Sequence, residues 1–558
     1  MNARRALIVT AAALAAVFVW IVGTLPARPA TASGPIDEAI RRRTIAGAIH
    51  VHSTRSDGSG NRAEIAAAAA AAGLRFVIVT DHGDATRLPD PPAYIHGVLC
   101  IDAVEISTSG GHYVALDLPA APYPLGGEPA AVVEDVARLG GFGIVAHPDS
   151  PKVELHWSDW DLPVNGLEWL NVDSEWRDET RVALAGAILH YPFRPAPALA
   201  SIFDRPVQTL SRWDAIAATR AIVGVAGHDA HGGWGNRLEE GGSRRVPIPS
   251  YDASFRTFAT RVVLDAEPSG AADRDSRLVI DALRAGRTFT AIDAVAGPAW
   301  IDYRADVAGS SLVMGQQAPF APSARATIRA AVPPGGRITL FRDGKPLAES
   351  TSDGLDAPLP GPGAYRVEIA APGAPGDSPI PWLVTNPIYL LSQPLAAKPP
   401  DVAPAIVREI SEPGAIEKDT GSTGSVSLLG SRRMVAYKLR DGIRASQYVA
   451  LSIPLSNLPE FNALAFDARS LVPARVSVQL RFKDAGGARW THSVFLSPET
   501  AHVVFPVARL RPADAPSSPP PFTSASSLLF VVDLTNARPG AEGQFEIWNL
   551  ALASIAAR

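Results

Sequence analysis

The 558-residue chain holds a single cysteine, Cys100, and three methionines. One thiol excludes an intramolecular disulfide and any thiolate-based zinc cluster. Cys100 lies in an apolar run (97–101) and is expected to be packed. Long blocks of like charge are missing as well. Fifty-one Lys and Arg against 56 Asp and Glu give a formal charge of −5. No basic stripe is present, so nucleic acid is excluded as a partner on electrostatic grounds. The short run Arg41-Arg42-Arg43 reads as a solvated helix face.

The extreme N-terminus does not read as part of a globular core. Arg4 and Arg5 precede an apolar run from Ala6 to Gly23 that has no polar face. A small-residue stretch follows, and Ala30-Thr31-Ala32 fits a cleavage site before Ser33. Residues 1–33 are therefore read as a signal peptide or, if uncleaved, a single-helix anchor over 6–23. Both readings export the body of the protein to the periplasm or beyond. Any membrane contact would run through this segment alone.

Residues 44–297 alternate strand-like and helix-like runs, which predicts an α/β unit with a largely parallel sheet or barrel. Strands are expected at 47–52, 76–80, 98–106, 112–118, 143–146, 166–171 and 222–226. Between the first two, Asn61 can cap a helix, Glu64 follows three residues later, and Gly73 can end it. After residue 298 the helical period fades, and short alternating runs (325–331, 337–342, 364–369) predict a small β-sandwich over 298–392. A proline-rich link, A-A-K-P-P-D-V-A-P, leads to a second all-β unit over 403–558, in which P-S-S-P-P-P-F reads as an exposed loop.

The stretch I-H-V-H-S-T-R-S-D-G (49–58) carries two imidazoles on one face of a strand, since residues i and i+2 share a face. Taken alone, it fits a metal-binding pair and a satisfied core pair equally well. The same chemistry then recurs at other strand ends. Asp57 follows His50 and His52. Thr80-Asp81-His82 ends the second strand. Glu105 sits inside an apolar strand and is followed by Gly110-Gly111-His112. Ala146-His147-Pro148 and Gly227-His228-Asp229-Ala230-His231 end two more. Each group has a bland reading: Asp81-His82 as a helix cap, His147-Pro148 as a turn, Asp229 and His231 as loop residues, Glu105 as an arginine's partner. For all to be bland, five strand ends would have to acquire nitrogen and oxygen donors by accident. At the C-terminal ends of barrel strands such residues converge on one face. The composition points to a multinuclear metal site without thiolate.

H-x-H with S-D-G, then T-D-H, an internal Glu, A-H-P and G-x-D-A-H, in that order, resemble the PHP (polymerase and histidinol phosphatase) superfamily. G-G-H-Y-V-A-L and P-W-L-V-T-N-P-I-Y (381–389) are similar to its CehA/McbA-like subgroup. The resemblance covers 44–297 and implies a distorted (β/α)7 barrel followed by two all-β sandwich-type domains. It implies two or three divalent ions (Zn, Mn or Fe). His50, His52, Glu105 and Asp229 would hold one, and Glu105 would bridge to a second completed by His112 and His147. Asp57, His82 and His231 would hold a third. Asp81, Glu105 and Asp229 would be the catalytic carboxylates, Asp81 orienting a ligand or the nucleophile from outside the ligand shell. His228 stands where the family often has Ser and is expected to point away. The 403–558 unit resembles, by strand pattern, a galactose-binding-like jelly roll, with a glycan as its expected ligand.

Ions held close together lower the pKa of a shared water toward neutrality, so no Ser, Cys or Lys nucleophile is needed. The implied activity is hydrolysis of a small-molecule phosphoester. Carbamate or carboxylic-ester hydrolysis on the same site is the close alternative. An alternative of another class is an envelope glycan-binding protein with a structural metal barrel. The tryptophans of H-W-S-D-W-D and E-W-L-N-V-D-S-E-W would either wall a substrate or pack their loops. Arg55 would either meet a phosphate or lie on the surface.

Overall fold

The computed structural model describes residues 3–35, 37–233, 248–392, 404–442, 446–483, 486–513 and 520–556. The proline-rich link up to residue 403, and residues 516–519 of the proline-rich loop, lie outside these. Contacts divide the chain into two compact units. The first comprises Met1–Gly83, Pro89–Leu118 and Val136–Ala396; the second comprises Asp84–Leu88, Pro119–Asp135 and Ala397–Arg558.

In the first unit, the strand Thr44–Val51 is buried on both faces from Gly47 onward. It therefore sits inside a sheet rather than at an edge. It pairs in parallel with Phe76–Val79, which pairs in parallel with Val98–Asp102, and on its other side it runs antiparallel to Ala259–Val263. The helix Arg62–Ala71 joins the first two of these strands. A capping box between Asn61 and Glu64 starts it, as the sequence predicts. A second sheet has the order Val223–Gly227, Gly166–Asn171, Phe142–Val145, Gly111–Leu116 and Val104–Thr108. Backbone bridges link both edges of the second sheet to the first: Val51 to Ala230 and His82 to Glu105. Ile49, Phe76, Ile78, Leu99, Ile144 and Val225 form the buried core they share.

The strand expected over 98–106 is in fact two, Val98–Asp102 and Val104–Thr108, and the halves belong to different sheets. The chain changes partners at the break. Ala103 N–H donates to Val79 O (2.8 Å), and Glu105 N–H reaches Asp81 O (3.3 Å). This transfer places Glu105 between the sheets.

Residues 298–392 are all β. Ile301–Val307, Ser310–Val313, Arg325–Ala330 and Gly354–Pro358 form one antiparallel sheet. The remaining strands continue the first sheet, because Leu383–Thr385 pairs antiparallel with Thr288–Ala291. The motif P-W-L-V-T-N-P-I-Y is a brace. The Asn386 carboxamide accepts from Gly224 N (2.8 Å) and donates to Gly224 O (2.9 Å) and Thr288 Oγ1 (2.6 Å). The Tyr389 hydroxyl accepts from Ile222 N and donates to Ile222 O. Both grip the strand that leads to Asp229.

The segment 3–23 forms the helix Ala3–Gly23, and Ala30-Thr31 then pairs in parallel with Ala296-Gly297. Among the described residues, no helix is long and apolar enough to cross a membrane.

The second unit contains two six-stranded antiparallel sheets with an apolar core that includes Val435, Leu451, Leu464, Leu480, Phe530 and Phe545. Within this unit Arg475, fully buried, donates from Nε to Asp135 (2.7 Å) and from Nη2 to Glu134 (2.8 Å). The segment 119–135 is thereby tied to the strand Ala474–Phe482.

Candidate metal centre

The nine residues expected as ligands all converge. His50, His52 and Asp229 form one grouping; His50, Glu105 and His147 a second; His82, Glu105 and His112 a third; His52, Asp57, His82 and His231 a fourth. Within each, the candidate donor atoms lie within 4.8 Å of one another. The division differs from the expected one in that His50, His52 and His82 each sit in two groupings, as Glu105 does.

Strand alternation alone does not aim these side chains. His50 (φ 65°), His147 (φ 30°) and Asp229 (φ 46°) all adopt the left-handed region. That conformation costs a non-glycine residue about 1–3 kcal/mol and persists only where the surroundings impose it. At His50 it coincides with a register shift between Ala48 and Val51 against the neighbouring strand. The backbone turns at the strand end and swings the imidazole inward.

Glu105 is the hub. Its Oε1 lies 2.8 Å from His112 Nδ1 and 2.9 Å from His147 Nε2. Its Oε2 lies 3.3 Å from both His50 Nε2 and His52 Nε2, and 3.1 Å from His82 Nδ1. Asp229 Oδ1 is 3.2 Å from His52 Nε2 and 3.5 Å from His50 Nε2. Asp57 Oδ2 is 3.2 Å from His231 Nε2 and 3.7 Å from His82 Nε2. Burial alone would raise the Glu105 carboxyl, but His50, His112 and His147 outweigh it and hold the group well below the usual range. Asp229 is held down in the same way, against burial, by His50, His52 and His231. Both carboxylates are thus ionised, the form in which they bind a cation.

Three buried atoms at the centre, His50 Nε2, His52 Nε2 and Glu105 Oε2, have no hydrogen-bond partner. Such orphans are costly in a protein interior. An unprotonated imidazole nitrogen and a carboxylate oxygen each offer a lone pair and repel at this range. Protonating His50 and His52 together would set two cations in rings 5.1 Å apart. A divalent cation satisfies all three atoms at once, so the donor set fits metal.

The surroundings fix the histidine tautomers. His50 Nδ1 donates to Glu168 Oε1 (2.6 Å), His147 Nδ1 to Leu155 O (3.1 Å), and His231 Nδ1 to Asp229 O (2.8 Å). In the neutral ring each bond leaves the Nε2 lone pair facing the centre, which is how outer carboxylates and carbonyls orient metal-binding imidazoles. Glu168 is a functional residue that the sequence reading missed. Its Oε2 also accepts from His147 N (2.8 Å) and Asn171 Nδ2 (2.7 Å). The available signal was a lone carboxylate in the strand Gly166–Asn171, every residue of which is buried. Gly227 makes room for it, since a Cβ there would stand 2.0 Å from Glu168 Oε1.

Asp81, expected among the catalytic carboxylates, lies outside the four groupings. Its Oδ1 accepts from Ser53 N (2.7 Å) and Ser56 Oγ (2.7 Å), and its Oδ2 from Ser53 Oγ (2.6 Å). These bonds pin the turn that presents Asp57, so Asp81 is a positioning residue. His228 points away, as expected. Its Nε2 donates to Phe258 O (3.1 Å) and its ring stacks on Phe258 at 4.1 Å. Arg55 is half-exposed and paired with Asp90 (2.5 Å) and Asp102 (3.1 Å). Trp157, in a loop, Trp169, in the strand Gly166–Asn171, and Trp176, in the helix Val172–Asp178, are all buried. Trp160 lies under Arg212, 4.9 Å from its ring, and lines a separate cavity of about 730 Å³ beside the helix Val207–Ala217.

No family model matches the chain, and no curated protein matches it. Among solved structures, its C-terminal region is similar to the family 11 carbohydrate-binding module of a cellulosomal cellulase of Clostridium thermocellum. That match has 13% identity, covers 28% of this chain and 100% of that one, and has a TM-score of 0.22. A carbohydrate-binding module of family 29 matches at 16% identity over 27% of this chain and 92% of that one, with a TM-score of 0.18. At these values the likeness carries no statement about ligand.

Proposed function

We propose that the first unit is an exported, metal-dependent hydrolase of the PHP type, built on that superfamily's distorted barrel, and that it cleaves a phosphoester. The observation that carries this reading is the set of three orphaned buried atoms at the meeting point of nine ligand-type side chains. Bound divalent ions would supply Lewis acidity and an acidified water. The chain's own part is positional. Glu105 would be shared between ions, Glu168 and the backbone carbonyls orient the imidazoles, and Asp81 holds the Asp57 turn. A carboxylate shared in this way would let one substrate meet more than one ion, which suits the many oxygens of a phosphoester. Carbamate and carboxylic-ester hydrolysis is the alternative on the same site.

Metal analysis of chelator-free protein should show more than one equivalent, and Glu105→Gln should lose more than one. Below one equivalent in the wild type, under varied metal supply, the reading fails. Aryl phosphate mono- and diesters are then compared with aryl carbamates and acetates by kcat/KM. An advantage of more than about tenfold, roughly 1.4 kcal/mol, for carbamates or acetates would replace phosphoester by the alternative. A reporter active only in oxidising compartments, fused after residue 45, tests export.

A glycan-binding role for the second unit has its own support. On one sheet face Arg432 lies over the Trp548 ring (4.2 Å) and pairs with Glu546, which also pairs with Arg469. Beside them Asp467 accepts from His502 and Asn549. A half-buried indole among oriented polar forks suits a sugar ring. Affinity electrophoresis on a polysaccharide panel, with Trp548→Ala as control, checks it; unretarded migration on every polymer removes it.

A further inference from the structure

We propose that the cleft behind Glu168 is a binding site for an alkylammonium ion, distinct from the metal centre and sharing one wall with it. This goes beyond the hydrolase reading and does not depend on it.

A cavity of about 300 Å³ lies against the helix Val172–Asp178, which begins where the strand Gly166–Asn171 ends. Asn171, Ser174, Glu175 and Asp178 line it. They are spaced i, i+3, i+4 and i+7, so they share one face of the helix, and that face turns toward the cavity. Asp149, Asp204 and Thr209 close it from other segments of the chain. Glu168 lines it too, and its Oε1 accepts from His50 Nδ1 (2.6 Å). The cleft therefore ends on the carboxylate that orients a candidate metal ligand.

Two observations point to a cation. Besides Glu168, four carboxylates line the cleft (Asp149, Glu175, Asp178 and Asp204), and none of the four is in an ion pair among the described residues. Asp149 accepts from Thr209 Oγ1, and Glu175 Oε2 accepts from Asp204 N (3.1 Å). The guanidinium in the lining, that of Arg205, is committed to Glu368 through Nη1 (2.6 Å) and Nη2 (2.7 Å). Glu175 is only 5% exposed. Burial, followed by Asp178, Asp204 and Glu179, pushes its carboxyl well above the usual range, against the pull of the Asp204 N–H. The second observation is a neutral group. Ser174 is 8% exposed, and its buried hydroxyl has no hydrogen-bond partner. Such a group is costly unless a ligand completes it, and a hydroxyl oxygen can accept from an ammonium N–H. Spacing selects the class of cation. Among the described residues, no three of these carboxylates come within 4.8 Å of one another, as the donors of the metal centre do. A bare calcium ion asks for about six to eight oxygens at about 2.3–2.6 Å. An ammonium asks only for separate acceptors at about 2.7–2.9 Å. Its methylenes would lie along Leu170, Pro206 and Val207, which also line the cleft.

The test uses the full chain, once with its metal bound and once after chelator treatment. The probe is butylamine, which is a cation at neutral pH, followed by titration calorimetry, with butanol as the uncharged control and calcium as the competing ion. The wild type should bind butylammonium in both states and butanol in neither. Glu175→Gln and Asp204→Asn should each bind it at least tenfold more weakly, and Ser174→Ala should weaken it by a smaller factor. Glu175→Gln removes a charge that burial disfavours, so its Tm should not fall, and Asp204→Asn, at an exposed position, guards against a folding defect in the other variant. A wild type that does not bind the probe overturns the proposal, as does wild-type affinity in both Glu175→Gln and Asp204→Asn. Binding that disappears with the metal assigns the amine to the metal centre, equal binding of butanol assigns it to the apolar wall, and displacement by equimolar calcium makes the cleft an inorganic cation site; each of these overturns it too. Binding to the chelated protein does not require turnover, so a failure of the hydrolase reading leaves this result standing.

Discussion

Single side chains at the centre act through fixed partners, and their effects can be separated. Glu168→Gln keeps the shape but weakens the pull on His50 Nδ1. It should cost about 10–100-fold in metal affinity, the usual effect of an outer partner, with little loss of apo stability. Competition with a chelator of known affinity measures it, and an unchanged constant would deny Glu168 that role. Asp178 offers a different check. Partial burial, and then Asp204, Glu179 and Asp149, raise its carboxyl to about 6. Because the folded pKa lies above the unfolded one, the unfolded chain ionises first as pH rises. This residue therefore costs stability between about pH 4 and 6 and above, and costs none below. Asp178→Asn should stabilise the protein at pH 7 by on the order of 0.5 kcal/mol, a small figure because the residue is exposed and screened. The gain should vanish near pH 4 in denaturant titrations. Residue identity was the most legible level. All nine ligand-type residues stand out in sequence, because a histidine or carboxylate at the end of an apolar run is conspicuous. Glu168 escapes notice because it lies mid-strand with no histidine near it in sequence.

Secondary elements carry these residues to the centre by departing from regularity. The chain leaves one sheet for another at Ala103, and register shifts occur at Ala48/Val51 and at Val225/Ala226. Period-two patterning cannot report such events, since a bulge or a change of partner leaves the apolar run intact. Six of the seven expected strands lie within a few residues of those observed, and the seventh, 98–106, is two elements. Gly227 shows the tolerance of the arrangement. An added Cβ would meet Glu168 Oε1 at 2.0 Å, too close for the carboxylate to stay on His50. Gly227→Ala should destabilise by about 1–3 kcal/mol and lower metal stoichiometry, read by thermal unfolding and elemental analysis. Retained stoichiometry would mean that Glu168 has another place to go.

Taken entire, the described chain contains two units, and the second is discontinuous in sequence. It recruits 84–88 and 119–135 from inside the first. Arg475 and Asp135, 0% and 1% exposed, form the buried ion pair that secures the longer insert. Arg475→Met would take the guanidinium from the buried Asp135 carboxylate, which keeps the Tyr123 hydroxyl as a donor, at a cost of about 3–5 kcal/mol. Differential scanning calorimetry of the full chain should show the drop, and Asp135→Asn in the same chain should return part of it. Additive losses in the double variant would mean that the two groups do not couple. Composition and motif order suffice to establish an α/β unit followed by β structure, a donor set without thiolate, and the identity of the nine candidates, because each of these is written within a few neighbouring residues. The remaining facts arise between distant ones. His50 meets Glu168 across 118 positions and Asp57 meets His231 across 174. Ligand sharing and the confinement of Asp81 to its serine turn are consequences of which strand ends the closed backbone brings within a hydrogen bond of each other, a distance that no local pattern encodes.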